Sequence, residues 1–138
     1  MMDVVLQSLW SGLPALLSQF AAAAAVYAAG LAVYIRLTPF HELNLVRAGN
    51  VAAAITLAGA IVGLAIPIGA TLVRSLSVAD ILVWGAVSAL LQAVAFGIAS
   101  FALRGLPAAV ERGDVAAAVV AAASQIGVGI LNAGAMSS

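Results

Sequence analysis

Four apolar stretches without a charged side chain, each long enough to cross a bilayer, make up most of this 138-residue chain. They are Pro14–Ile35, Ala48–Val73, Ile81–Leu103 and Val115–Met136. A helix rises about 1.5 Å per residue, so roughly 20 apolar residues span the ~30 Å hydrocarbon core of a membrane. A soluble helical bundle needs a polar outer face on each helix, which these stretches lack. The sequence therefore predicts an all-α membrane protein with four transmembrane helices in a single domain, residues 1–138.

The charge content fits a membrane protein. Only 7% of the residues are charged, against roughly 25% in soluble domains, and all of them lie outside the four stretches. The net charge is zero, which indicates no nucleic-acid partner. The chain has no cysteine, which excludes disulfides and thiolate metal sites. The sequence indicates no cofactor, and the lipid bilayer is the expected environment.

The arginines predict the orientation in the membrane. Arg36 and Arg47 lie between the first two stretches, and Arg104 and Arg112 lie between the last two. The opposite side has only Arg74. Because cytoplasmic loops are enriched in Lys and Arg, we expect these two loops in the cytoplasm and both termini outside.

The N-terminal segment, residues 1–13, lacks the positive region and the cleavage site of a signal peptide. We expect its apolar residues to lie at the membrane interface, with Trp10 in the aromatic belt.

The chain contains an internal repeat. Residues 49–54 read GNVAAA and residues 113–118 read GDVAAA, an offset of 64, and the same offset pairs Gly63 with Gly127. Each copy holds two membrane stretches, so both copies enter the membrane from the same side. The sequence therefore predicts two parallel-repeat helical hairpins, at about 13–73 and about 81–136, related by a pseudo-two-fold axis along the membrane normal.

A short interfacial helix is predicted in the first cytoplasmic loop. Thr38 followed by proline is typical of an N-cap and a first helical position, and the helix would run over Pro39–Ala48. Its apolar residues would rest on the interface while Glu42 and Arg47 face water.

Three further sites have capping patterns. Asn50 and Asp114 follow glycines at equivalent repeat positions and would cap the second and fourth spanning helices. Ser77 with Asp80 three residues later forms a capping box at the start of the third.

The candidate functional residues are His41, Glu42, Asn50 and Asp114, all expected at the cytoplasmic side. His41 is the only histidine, so a histidine-based zinc site is not possible. The plain interpretation is that Asn50 and Asp114 are caps and that His41 and Glu42 are interfacial. The alternative is that these groups contact an ion or a cationic solute.

Polar residues also occur inside the spans, and none is ionised at neutral pH. We expect them to form interhelical hydrogen bonds. They are Gln19, Tyr27, Tyr34, Thr56, Ser88, Gln92, Ser100, Ser124, Gln125 and Asn132. Proton-coupled carriers usually place an ionisable group in the membrane, which argues against that activity.

Close helix packing is predicted at small residues. Gly59 and Gly63 form a GxxxG pattern in an apolar helix, and Gly127 is the repeat equivalent of Gly63.

Three motifs carry a family resemblance. They are the segment YIRLTPFHE at 34–42 followed by GNVAAAI at 49–55, the segment SLSVAD at 75–80, and NAGAM at 132–136. Together they resemble the YjfL-like bacterial inner-membrane family, a domain of unknown function. The resemblance covers nearly the whole chain and implies a multi-pass protein of the bacterial inner membrane. It carries over no catalytic residues.

Two functional hypotheses follow. The first is a non-enzymatic membrane protein that acts by forming a homo-oligomer or by associating with envelope protein partners. The second is a passive channel or a small-solute or cation transporter, formed by the four-helix unit or its oligomer. An enzyme is the weakest interpretation, because the chain has no catalytic motif.

Overall fold

The computed structural model describes residues 1–38, 41–74 and 77–137, and these residues form six helices. Four are long, namely α1 (Met2–Leu37), α3 (Val51–Arg74), α4 (Val78–Ala102) and α6 (Val115–Met136). Two are short, namely α2 (Glu42–Arg47) and α5 (Leu106–Glu111). The four long helices are long and apolar enough to cross a membrane. The predicted all-α fold with four helices of spanning length is thus confirmed.

Helix α1 is longer than the sequence suggested. It has 36 residues and continues through Pro14, so at about 1.5 Å per residue it is roughly 54 Å long. Residues 2–13, whose apolar side chains we expect at the membrane interface, form the start of this helix. A proline inside a helix removes one backbone hydrogen bond, and here the helix continues on both sides of it.

The most extensive helix pair is α3 with α6. A methyl group added at Gly59 would collide with the backbone of Ala122, and one added at Gly63 would lie 2.6 Å from the carbonyl oxygen of Gln125. Gly129 in turn lies against the backbone of Gly63. These small residues let the two backbones approach closely. A methyl group at Gly127 would meet nothing within 4 Å, so the close contact is made by Gly129 instead.

The contacts between α3 and α6 follow the same order along both helices. Near the start of α3, the Asn50 side chain donates a hydrogen bond to the Val110 carbonyl on α5, at 2.9 Å. The glycine contacts come next, and at the far end the Arg74 guanidinium donates to the Met136 carbonyl.

Contacts between α1 and α4 also follow the same order along both helices. Val26 lies against Gly85, and Gly30 lies next to Ala89. Further along, the Tyr34 and Phe96 rings meet edge to face at 4.9 Å between centroids. Helices α1 and α4 therefore run in the same direction.

The two short helices lie at the same end of the bundle. On α5, Leu106 and Val110 are buried with Ala52 and Ala53 of α3, and Val46 of α2 packs against this cluster. Helix α5 was not predicted from the sequence. It follows Gly105, which has a φ of 81° in the left-handed region, and has a proline in its first turn.

The start of α2 differs from the prediction. Helix α2 begins at Glu42, whereas Pro39 and Phe40 lie outside the described residues. Thr38 caps the end of α1 rather than the start of a second helix, because its hydroxyl donates to the Tyr34 carbonyl at 2.6 Å.

The remaining caps use side-chain oxygens. Asn50 Oδ1 accepts from the Ala53 N–H at 3.0 Å, and Asp114 Oδ1 accepts from the Ala117 N–H at 3.2 Å. Ser77 Oγ accepts from the Asp80 N–H at 3.2 Å. Each bond satisfies a backbone donor that the first turn of a helix leaves free.

Candidate functional site

A group of buried polar side chains lies between α4 and α6, and we call it the polar core. It consists of Ser88 and Gln92 on α4 and Gln125 and Asn132 on α6. Residues four or seven positions apart share one face of a helix, so each pair points the same way. Gln92 and Gln125 are each 5% exposed and Asn132 is 7% exposed.

Hydrogen bonds join the two helices at the polar core. Gln92 Nε2 donates to the backbone carbonyl of Gln125 at 2.8 Å and to its Oε1 at 3.1 Å. Asn132 Nδ2 donates to the Ser88 carbonyl at 3.2 Å. The expected interhelical hydrogen bonds are thus present at these residues.

Three polar atoms of this group have no hydrogen-bond partner among the described residues. They are Gln92 Oε1, Gln125 Nε2 and Asn132 Oδ1. An unpaired polar group is costly in a membrane, because lipid tails offer no hydrogen bonds. The polar core therefore contains one donor nitrogen and two acceptor oxygens without a hydrogen-bond partner among the described residues.

One side of the polar core opens to a cavity of about 350 Å³, which we call the tyrosine cavity because Tyr34 lines it. Gln92 and Gln125 line it together with mainly apolar residues of α1, α3 and α4, such as Leu64 and Phe96. Its volume falls within the range of small-molecule pockets.

The other side opens to a second cavity of about 480 Å³, the arginine cavity, at the far end of α3. Thr71, Arg74, Asp80, Trp84 and Asn132 are among its lining residues. Asn132 thus belongs to the polar core and to this cavity. Since Ser88 and Gln92 are one helical turn apart, about 6 Å of helix separates the levels at which the two cavities meet the polar core.

A buried carboxylate lies next to the tyrosine cavity. Glu42 is 1% exposed, its Oε1 accepts a hydrogen bond from the Tyr34 hydroxyl at 3.0 Å, and its Oε2 has no partner among the described residues. Burial raises the pKa of Glu42 from 4.5 to about 7, although the hydrogen bond from Tyr34 lowers it. The prediction that Glu42 faces water is wrong, because its side chain is buried and bonds to Tyr34 of α1.

The structure does not gather the other predicted site residues around a cavity. His41 is exposed and precedes α2 without a side-chain capping bond. Asn50 bonds to α5, and Asp114 is exposed. The described residues include no group of three or more His, Cys, Asp or Glu side chains that could hold a metal ion. The sequence predicted interhelical hydrogen bonds for these side chains but not that they form one group, although the four- and seven-residue spacings place each pair on one helix face.

Nearly the whole bundle matches one known family. The match, to the family described as Domain of Unknown Function (DUF350), covers residues 8–136, from within α1 to the end of α6. The chain belongs to the DUF350 family. This confirms the resemblance inferred from the motifs and points to no enzymatic family.

The DUF350 chain is also similar to a curated bacterial protein. UPF0719 inner membrane protein YjfL of Escherichia coli strain K12 is 26% identical over 106 residues, which cover 77% of this chain and 80% of the relative. The protein of the same name from strain O157:H7 gives the same values. No solved structure gives a significant match. Together with the four apolar helices, these matches fit a multi-pass protein of the inner membrane.

Proposed function

We propose that this DUF350 protein is a non-enzymatic, passive transporter that moves a small solute through its helical bundle. One observation carries the proposal, namely a polar core with three unpaired polar atoms between two cavities at different levels of the bundle. The sequence alone favoured assembly over transport, because the spans carry small-residue faces and the chain has no catalytic motif.

Unpaired polar atoms at membrane depth call for a partner. Each buried donor or acceptor left without a partner costs about 1–3 kcal/mol. Lipid tails cannot supply such a partner, whereas water or a solute can. The tyrosine cavity is far larger than the space one water needs. A hydrated or solute-filled polar core therefore explains these side chains better than helix packing alone.

The path is closed in this conformation. Gly63 and Gly129 are in backbone contact next to the polar core, and Gln125 lies against Gly63 as well. Passage would require α3 and α6 to separate at these glycines. Among the described residues, the polar core itself contains no Asp, Glu, His, Lys or Arg side chain, and we therefore propose transport without proton coupling.

The residues predicted at the cytoplasmic side remain part of the proposal. His41, Glu42, Asn50 and Asp114 would meet a solute that enters from the end where α2 and α5 lie. Glu42 is the strongest of these because it contacts Tyr34 on the wall of the tyrosine cavity.

We propose that the single transmembrane domain consists of two parallel repeats. Each half has the order long helix, six-residue helix, long helix. The contacts of α1 with α4 and of α3 with α6 advance in the same direction, which supports this arrangement. The arginine count supports an orientation with α2 and α5 in the cytoplasm and both termini outside.

The transport proposal is tested by solute uptake into proteoliposomes. Stopped-flow light scattering would follow the entry of glycerol, urea and butanamide. We expect faster entry of at least one solute than in protein-free liposomes, and a rate near the protein-free value for the double variant Gln92→Leu with Gln125→Leu. Gln7→Leu makes the same chemical change on the exposed start of α1 and should behave as wild type. Wild-type rates equal to protein-free rates for all three solutes would reject the proposal.

Assembly is the second candidate, and the length of α1 favours it. Val26 lies against Gly85, so the start of α4 at Val78 falls beside residue 19 of α1. Residues 2–18 therefore extend past α4 by roughly 25 Å. Leu6, Leu9 and Trp10 are exposed on this extension. A second copy or an envelope protein partner would cover it. Removal of residues 2–12 should then lower the mass of the particle measured in nanodiscs by more than the mass of the residues removed.

A further inference from the structure

We propose that the arginine cavity binds a phospholipid whose headgroup carries both a phosphate and a primary ammonium, as in phosphatidylethanolamine. The inference does not depend on the proposed transport, because it concerns the lipid-facing side of this cavity. Trp84, Val87 and Leu91 line that side and are 51%, 39% and 51% exposed.

Two opposite charges line the same cavity. Arg74 is the last residue of α3, and Asp80 lies in the first turn of α4. In the part of the chain that the structure describes, no ion pair joins these two side chains. A headgroup with one charge of each sign complements this arrangement, because its phosphate would lie at Arg74 and its ammonium at Asp80.

The guanidinium of Arg74 is held in place by α6. It donates a hydrogen bond to the Met136 carbonyl, and Met136 also lines the cavity. A helix leaves its last carbonyls without a partner inside the helix, so this bond helps to cap α6. A guanidinium remains charged in proteins and its geometry suits a phosphate group, which makes Arg74 the anion-binding element of the cavity.

Helix α4 supplies a stripe of side chains that matches the profile of a lipid. Asp80, Trp84, Val87 and Leu91 are spaced by four, three and four residues, so they share one face of the helix. The rise from Asp80 to Leu91 is roughly 16 Å, which is about half of the ~30 Å hydrocarbon core. The stripe thus changes from a charge, through an indole typical of the membrane interface, to aliphatic groups over the depth of one leaflet.

The lining residues favour a primary ammonium over the other common headgroups. Phosphatidylglycerol has a phosphate but no cation, so it would place an anion near Asp80 without a compensating charge. The quaternary ammonium of phosphatidylcholine has no N–H that could donate to Asp80. Such groups are recognised by cages of several aromatic rings, whereas Trp84 is the one aromatic residue among the described lining residues.

The position of Arg74 in the chain also calls for a phosphate partner. The other four arginines lie at the end of the bundle that has α2 and α5. The enrichment of basic residues in cytoplasmic loops accounts for those four in the proposed orientation, but not for Arg74. A lipid phosphate at the opposite surface would give this arginine a partner.

Native mass spectrometry of the full chain in detergent tests the inference by measuring the affinity of the first bound lipid. The probes are phosphatidylethanolamine, phosphatidylglycerol and phosphatidylcholine with identical dioleoyl chains. We expect phosphatidylethanolamine to bind about fivefold more tightly than the other two, because one partly exposed ion pair is worth up to about 1 kcal/mol.

Variants at the two charges separate the headgroup contacts. Asp80→Asn keeps the backbone N–H that bonds to Ser77, so the helix cap remains, and it should abolish the preference over phosphatidylglycerol. Arg74→Gln should weaken binding of all three lipids about fivefold. Glu111→Gln and Arg112→Gln make the same changes at exposed positions of the other end and should keep the wild-type values. Melting curves identify the variants that remain folded.

Three results would overturn the inference. Equal affinities of the wild-type protein for the three lipids would indicate a lipid annulus without a specific site. An unchanged preference in folded Asp80→Asn would remove the ammonium contact. Excess water-soluble phosphoethanolamine should fail to displace the lipid, because it has no acyl chain to pack on Val87 and Leu91. Complete displacement would assign the site to a soluble headgroup instead of a lipid.

Discussion

The hydroxyl of Tyr34 donates a hydrogen bond to the buried carboxylate of Glu42 across 3.0 Å. Tyr34 belongs to the spanning helix α1 and lines the tyrosine cavity, while Glu42 belongs to the short helix α2. This bond therefore links the wall of the cavity to the loop helix beside it. A change of protonation at Glu42 would therefore affect both the cavity wall and helix α2.

The first prediction concerns the pH dependence of stability. Burial raises the pKa of Glu42 to about 7 in the fold, so the folded state binds a proton more tightly than the unfolded chain does. Its contribution to stability is complete below pH 4.5 and is lost as the pH rises to about 7, by up to about 3 kcal/mol. We expect wild-type protein to melt at a lower temperature at pH 8 than at pH 5.

The Glu42→Gln variant should remove most of this pH dependence. Glu111→Gln changes an exposed acid on α5 and should keep it. Identical pH profiles for wild type and Glu42→Gln would contradict the assignment of the buried carboxylate.

The second prediction concerns the partner of that carboxylate. Tyr34→Phe removes the hydrogen bond that lowers the pKa of Glu42, so this pKa should rise further. The loss of stability should be about 1–3 kcal/mol at pH 8 and smaller at pH 5, where Glu42 is protonated. Melting curves at both pH values check this, and an equal loss at both would argue against the bond.

The third prediction concerns the contact between α3 and α6. Gly129→Ala should lower the melting temperature by several degrees, because its methyl group would collide with the backbone of Gly63. Gly127→Ala, two residues earlier, has open space and gains helix propensity of about 1 kcal/mol. If both variants melt alike, these helices do not pack as closely as described.

The fourth prediction concerns orientation. Four arginines on the side of α2 and α5 against one on the other side predict that the C-terminus is outside. A reporter fused to the C-terminus should be active only if it functions outside the cytoplasm. Activity of a cytoplasm-specific reporter at this position would show that the orientation is the opposite of the predicted one.

Hydropathy predicted the number of spanning helices because length and lack of charge determine it. The same pattern placed Glu42 in water, since a six-residue helix does not reveal which face meets the bundle. Tyr34, eight residues earlier, decides this through a tertiary contact. The polar core could be seen in part, because Ser88 and Gln92 share one face of α4. Their partners on α6 depend on how closely Gly63 and Gly129 approach each other, and no sequence pattern gives that distance.

The central claim is that solute passes through the polar core, and thiol modification tests it most directly. The chain has no cysteine, so a single introduced cysteine is the only target. Solute uptake would be measured in Gln125→Cys proteoliposomes before and after a bulky, water-soluble thiol reagent. Glu111→Cys, on the exposed surface of the short helix α5, serves as the control. We predict that modification stops uptake only in Gln125→Cys. Two results would contradict the claim: unchanged uptake after modification that mass spectrometry has verified, or a cysteine at position 125 that the reagent cannot reach.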